Sequence, residues 1–281
     1  SQYEMLKRLE LGTEEHHALR KRCREIGIDF LSTPFDLESL DLLVKELGLS
    51  TLKIASGEIT NGPLLLAAAR SGADLILSSG MSDLDDIRAA LGVLAFGLTG
   101  RSAPGTAAFR AAFASEEGKE ALRKKVTVLH CTSEYPAPAE ALNLRALATM
   151  RNELPCPIGY SDHSLGIEAA VAATALGATL IEKHFTVDRT LPGPDHAASL
   201  DFAALKEMVR SIRNVEKMLG CPEKRPVPVE EANKKLVRKS LVALRPVRAG
   251  EPFSEQNLTA KRPGSGISPL SFWDLLGKRA E

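Results

Sequence analysis

The chain has 281 residues, 44% hydrophobic and 26% charged, which suits a large buried core and excludes a disordered chain. Thirty-six Lys+Arg residues balance 36 Asp+Glu residues, so a broad nucleic-acid-binding surface is not expected, although a local phosphate pocket is compatible with zero net charge. The longest apolar stretch, residues 169–181, falls short of the ~20 residues of a membrane span, and the four cysteines (Cys23, Cys131, Cys156, Cys221) form no CxxC pair, which predicts reduced cytoplasmic thiols without a disulfide frame or zinc site.

In chain order, β-branched apolar runs predict strands at GIDFLSTPF (27–35), TLKIAS (51–56), ADLILSSG (73–80), VTVLHCT (126–132), PIGYSDH (157–163) and ATLIEKHFT (178–186). Helical spacing of apolar residues recurs between them, over 37–47, 63–70, 83–93, 139–153 and 166–175. With strand centres at Phe30, Lys53, Ile76, Val128, Ile158 and Ile181, the steps are 23, 23, 52, 30 and 23 residues, the rhythm of a parallel βα repeat. The long step contains an Ala-, Gly- and Ser-rich segment, 96–119, expected to be an elaborated loop or an added helix. After an amphipathic helix over 201–219, residues 220–237 form a Pro-rich charged linker. Residues 238–281 read as a small β-rich domain with Arg248–Glu251 as a turn, cut short at its C-terminal end.

Six strands do not close a barrel of eight. Either the sheet is open and doubly wound, or two strands precede residue 1. The chain opens in mid-pattern at SQYEMLKRLEL, so the expectation is a (β/α)8 barrel over 1–219 lacking its first two βα units. Every predicted strand ends in hydroxyls, acids or imidazoles, and strand C-termini form the active site of such barrels.

His163 and His184 end successive strands, 21 residues apart, and two neutral imidazoles with water form a plausible divalent-metal site; a single strand-end His is more often a hydrogen-bonded structural group. Glu182 shares the His184 face by alternation, to orient a ligand or as a satisfied buried acid. Lys53 lies between Leu52 and Ile54, where an ammonium is costly unless an anion pairs with it. Ser32, Thr33, Ser56, Ser78 and Ser161, with Gly57 and Gly80, surround it with donors suited to a phosphate or carboxylate. The competing readings are a snorkelling lysine and a Schiff-base lysine at Lys53 or Lys183. Glu58, Tyr135 and Asp195 follow three strands and suit sugar hydroxyls or proton transfer; Gly193 and Pro194 fix the loop at Asp195. Arg262, in KRPGSGISP, is a surface charge or a fixed guanidinium for an amide or carboxylate.

The segments KIASGE, ILSSGM, LHCTSEYPAP, IGYSDHSLG, IEKHFT, LPGPDHAASL and KRPGSGISP occur in this order, and together the chain resembles the N-acetylneuraminate (sialic acid) synthase family, including the legionaminic and pseudaminic acid synthases. The resemblance implies a (β/α)8 barrel joined to a SAF (antifreeze-like) domain. It implies a carbon–carbon bond-forming transferase that condenses phosphoenolpyruvate with an N-acetylhexosamine and water, with Mn2+ or Mg2+, in a domain-swapped homodimer. Carried over by motif, the metal ligands fall on His163 and His184, and the phosphoenolpyruvate contacts on Thr33, Lys53, Ser56, Ser78 and Ser161. Ser133 stands where some members have Asn, and donates one hydrogen bond where an amide donates two. The amino-sugar contacts fall on Glu58, Tyr135 and Asp195, with Arg262 reaching from the other subunit. The motif run leans toward the sialic or legionaminic branch. The family's opening stretch and the end of its SAF domain have no counterpart here. The remaining alternatives are a Schiff-base aldolase and a binding protein with an incomplete barrel.

Overall fold

The computed structural model describes residues 2–193 and 195–281, which form two compact units, Ser1–Gly220 and Cys221–Glu281. In the first unit, α1 (Gln2–Leu9) and α2 (Thr13–Ile26) precede α3 (Leu37–Asp41), which runs on into a wider π turn, Leu42–Glu46. There follow β1 (Thr51–Ile54), α4 (Gly62–Arg70), β2 (Asp74–Ser78), α5 (Leu84–Leu98), α6 (Thr106–Ala114), α7 (Glu116–Lys125) and β3 (Val126–Cys131). The unit ends with α8 (Ala146–Glu153), β4 (Ile158–Asp162), α9 (Glu168–Ala175), β5 (Ile181–Lys183) and α10 (Phe202–Leu219).

Among the described residues, five helices of this unit begin where polar side chains satisfy free backbone donors. Asp83 accepts from the amides of Asp85 and Asp86 at 2.9 and 3.0 Å, while Asp86 accepts from the Asp83 amide at 3.2 Å. Asn61, Ser115 and Asp201 cap α4, α7 and α10 in the same way. The 96–119 segment is mostly helical: it spans the end of α5, a turn and loop over 99–105, all of α6 and the start of α7. A Cβ on Gly92 would lie 2.9 Å from the Phe109 carbonyl oxygen, so glycine is what lets α6 pack directly against α5.

The five strands are parallel and lie in sequence order, β1-β2-β3-β4-β5. A doubly wound sheet reverses direction at a switch point, whereas this order runs one way, as in a barrel. Register and alternation sort the side chains. Leu52, Ile54, Leu75, Leu77, Val128 and Ile158 share the face buried against the helices. Lys53, Ile76, Ser78, Cys131, Ser161 and Glu182 share the other. In a flat sheet β1 and β5 would stand ~19 Å apart at the usual strand spacing, beyond the combined reach of a lysine and a glutamate. Yet Lys53 Nζ and Glu182 Oε2 are 3.5 Å apart, so the sheet is curled into an arc with these groups on its concave side.

The sixth expected strand, over 27–35, is absent; residues 28–34 run without a ladder partner, and Pro34 has no amide to donate to one.

In the second unit, part of the expected linker is helical. Proline begins rather than breaks α11 (Pro228–Val237), because the first helical position needs no amide donor. β6 (Ser240–Ala243) pairs antiparallel with β7 (Leu258–Lys261), and α12 (Phe272–Leu275) follows a 3-10 turn at Pro269–Ser271. Glu251 donates its amide to the Arg248 carbonyl at 3.0 Å, closing the expected turn over Gly250 at φ 80°. The Glu251 carboxylate accepts from Arg245 Nη2 at 2.6 Å and the Arg248 amide at 3.0 Å, and these bonds, the arginine's first, hold its pKa at about 2. A depressed folded-state pKa stabilises above the unfolded value and loses that stabilisation as pH falls through the folded value. The stability gap between the parent and Glu251→Gln is therefore expected to be full above pH 4.5 and to close toward pH 2. Trp273, the only tryptophan, lies in this unit and reports its unfolding by fluorescence; a gap independent of pH overturns the assignment.

No helix among the described residues is long and apolar enough to cross a membrane, and all four cysteines are free.

Candidate active site

The C-terminal ends of β1 to β5 bring most of the sequence-predicted groups to one rim. Lys53 is 8% exposed and pairs across the arc with Glu182 at 3.5 Å. Ser161 donates its hydroxyl proton to Glu182 Oε1 at 2.6 Å and lies 3.3 Å from His163 Nε2. A hydroxyl has one proton; this one is committed to the carboxylate, so Ser161 leaves the Nε2 lone pair of His163 undonated. His163 Nδ1 is 2.6 Å from the Thr132 carbonyl, which only accepts, so Nδ1 carries the hydrogen. Burial, the largest cause, pushes the His163 pKa below the ordinary imidazole value, and His184 adds to the effect. The result is a neutral ring with Nε2 available as a ligand.

The His163 and His184 ring centroids are 5.6 Å apart, and Tyr135 stacks on His163 at 4.2 Å and meets His184 edge-on at 5.5 Å. The Tyr135 hydroxyl is held above its ordinary pKa by burial first, then by Cys131, Asp195 and Glu182, so it stands protonated as a donor. Asp195 Oδ2 approaches His184 Nδ1 at 3.7 Å, too long for a hydrogen bond but close enough to orient the ring electrostatically. Of the loop expected to fix Asp195, Pro194 lies outside the described residues. Among the described residues no three His, Cys, Asp or Glu side chains converge as a metal shell. The donor set is two imidazoles, which fits an ion whose other positions belong to water and substrate.

Small groups cluster at the ends of β1, β2 and β3. The buried Ser78 hydroxyl has no hydrogen-bond partner. Ser56 Oγ accepts from the Gly80 amide at 3.0 Å and touches Cys131 Sγ at 3.3 Å. A Cβ on Gly80 would meet Ser133 Oγ at 2.2 Å and Ser56 Oγ at 2.9 Å, so only glycine leaves this cradle open. Thr33 is half-buried on the stretch before α3, and Glu58 accepts from Asn61 Nδ2 at 2.7 Å. Arg262 is exposed in the second unit.

A cavity of about 610 Å3 between α4, α5 and α6 holds none of these groups; Lys53, Ser78, Ser161 and Glu182 lie on the concave face of the sheet. Lys183 is removed from the Schiff-base candidates. Alternation turns it to the opposite face, where its Nζ donates to Asp162 Oδ2 at 2.7 Å and to the Ser164 carbonyl at 2.5 Å. Sequence reasoning missed Cys131, although strand register places it beside Ser161, and the Thr132 carbonyl, which no side-chain pattern announces.

The model of the NeuB family matches residues 1–224. The chain belongs to this family. A SAF domain matches residues 238–281. This NeuB-family chain is 45% identical over 280 residues to the N,N'-diacetyllegionaminic acid synthase of Campylobacter jejuni, covering 100% of the chain and 77% of that protein. It is 41% identical over 279 residues to the synthase of the same name from Legionella pneumophila, covering 99% and 72%. Among solved structures it is similar to the N-acetylneuraminic acid (sialic acid) synthetase of Leptospira borgpetersenii, with a TM-score of 0.69 and 36% identity over 82% of this chain and 72% of that one.

Proposed function

We propose that this chain condenses phosphoenolpyruvate with an N-acetylated hexosamine and water to give a nine-carbon 2-keto sugar acid and phosphate, as a sialic or legionaminic acid synthase does. The carrying observation is the contact chain on one face of the arc: Lys53 to Glu182, Glu182 to Ser161, Ser161 to His163, with His184 alongside. The five strands are read as one arc of a (β/α)8 cylinder.

Lys53 clamps the anionic groups of phosphoenolpyruvate, the unpartnered Ser78 hydroxyl, Ser56, Ser133 and Thr33 form the donor ring, and Ser161 joins it by turning its proton from Glu182 to the substrate. Held there, the enol C3 attacks the sugar's aldehyde carbon, whose oxygen gains a proton. Water adds to the resulting cation at C2, and phosphate leaves with C–O cleavage. A divalent ion such as Mn2+ or Mg2+, held by His163 and His184, supplies Lewis-acid polarisation of the aldehyde oxygen when bound. Glu58, Tyr135 and Asp195 take the sugar's hydroxyl and amide groups, with Tyr135 donating and the carboxylates accepting.

The test is phosphate release by the purified chain with phosphoenolpyruvate and, in turn, N-acetylmannosamine and an N,N'-diacetylated hexosamine. Release that requires both substrates, with a 2-keto acid formed, is expected; no release with any N-acetylated sugar overturns the reading.

The reading extends to a homodimer in which Arg262 of one subunit serves the other's sugar site. Mixing Arg262→Ala with His184→Gln subunits is then expected to restore part of the activity. Failure to complement in verified mixed dimers removes Arg262 from the site.

A further inference from the structure

Asp162 and Lys183 end β4 and β5 and are register partners. Each directly precedes one of the two histidines. Because neighbouring strand residues point to opposite faces, the side chains meet behind the sheet while His163 and His184 meet in front of it. Both are fully desolvated, with side-chain exposures of 3% for Lys183 and 0% for Asp162.

The contacts of this pair bracket one residue. Lys183 Nζ donates to Asp162 Oδ2 and to the Ser164 carbonyl, while Asp162 Oδ1 accepts from the Ser164 amide at 2.9 Å and its hydroxyl at 2.7 Å. His163 is thus held from the residue before it and the residue after it. His184 is held differently: its three-residue strand pairs with β4, its carbonyl accepts from the Leu200 amide at 2.9 Å, and its ring is half-buried beside Asp195. Lys183 ties this short edge strand to the backbone around His163 from behind the sheet, as the Ser161–Glu182 bond ties it in front.

Stability alone gives no reason for a buried ion pair here, because well-packed apolar residues of similar volume often serve a fold equally well. We infer that Asp162 and Lys183 form a positioning clamp that sets the separation of the two imidazoles and, through it, the affinity and coordination geometry of a divalent ion. This rests on the reading of His163 and His184 as the metal pair. Neither clamp residue touches substrate or metal; both act through the strand ends.

The test compares the parent 281-residue chain with Lys183→Met, Asp162→Asn and the doubly apolar Asp162→Leu/Lys183→Met. Mn2+ affinity is read by electron paramagnetic resonance, and site geometry by the visible absorption of bound Co2+. Disturbing groups that support metal ligands costs about 10- to 100-fold in affinity, and that loss is expected in both single variants. The double variant leaves no buried charge unpaired, so it controls for folding, monitored by circular dichroism and thermal unfolding. It is expected to stay folded, at a lower unfolding temperature because the Ser164 amide and hydroxyl lose their acceptor, yet to keep the weakened Mn2+ binding and an altered Co2+ spectrum. Parent-like affinity and spectrum in the folded double variant overturn the clamp while leaving the metal pair intact. No Mn2+ or Co2+ binding by the parent, or binding unchanged by His163→Gln, overturns the metal reading and the clamp with it.

Discussion

Replacing either His163 or His184 by glutamine is expected to abolish metal-dependent turnover. The loss expected is on the order of a thousand-fold or more, since Lewis-acid stabilisation is worth several kcal/mol and each ~1.4 kcal/mol is tenfold in rate. Glutamine is a discriminating choice at His163. Its amide can still donate toward the Thr132 carbonyl, now bonded at 2.6 Å, but it offers no imidazole lone pair in place of Nε2. His163→Gln should therefore fold as the parent does while losing Mn2+ binding. Phosphate release before and after chelation, with Mn2+ added back, measures the effect directly. Activity that survives chelation and both substitutions ends the proposal.

The second large effect belongs to Lys53→Met, where phosphate release is expected to fall about 10^2- to 10^3-fold, the usual cost of removing one preorganised electrostatic donor. Two roles compete for this lysine. As an anion clamp it serves the substrate; as a structural group it only balances Glu182, 3.5 Å away. Methionine keeps much of the side-chain length and volume without the charge, so a structural role predicts lowered stability and rescue by the compensating Lys53→Met/Glu182→Gln pair. The clamp predicts a folded protein that the second substitution does not rescue. Borohydride treatment with substrate present is expected to trap no lysine adduct; a stable adduct at Lys53 would favour aldolase chemistry instead. Recovery of turnover in the double variant would falsify the clamp.

Much of this arrangement is legible before folding is considered. The 23-residue steps and β-branched runs mark β1 to β5, and alternation alone puts Glu182 and His184 on one face. The misreading at 27–35 has a simple origin: GIDFLSTPF has strand composition, but a strand exists only where a neighbour accepts its backbone bonds. The 96–119 stretch was ambiguous because its small residues suit a loop as well as a tight helix–helix contact. That contact is visible only once Gly92 is seen against the Phe109 backbone. Proline and charge marked 220–237 as a linker, although proline at the first helical position starts α11.

The linear order of residues was enough to establish which side chains could share the rim, because strand alternation and the βα repeat are local properties of the chain. It could not establish how far apart they stand. The approach of Lys53 to Glu182 spans five strands and depends on how sharply the packed sheet curls. The His163 tautomer is selected by a main-chain carbonyl, a group every residue carries and no residue type announces. The pairing of Asp162 with Lys183 likewise needed two strands brought into register before opposite charges 21 positions apart became one buried contact.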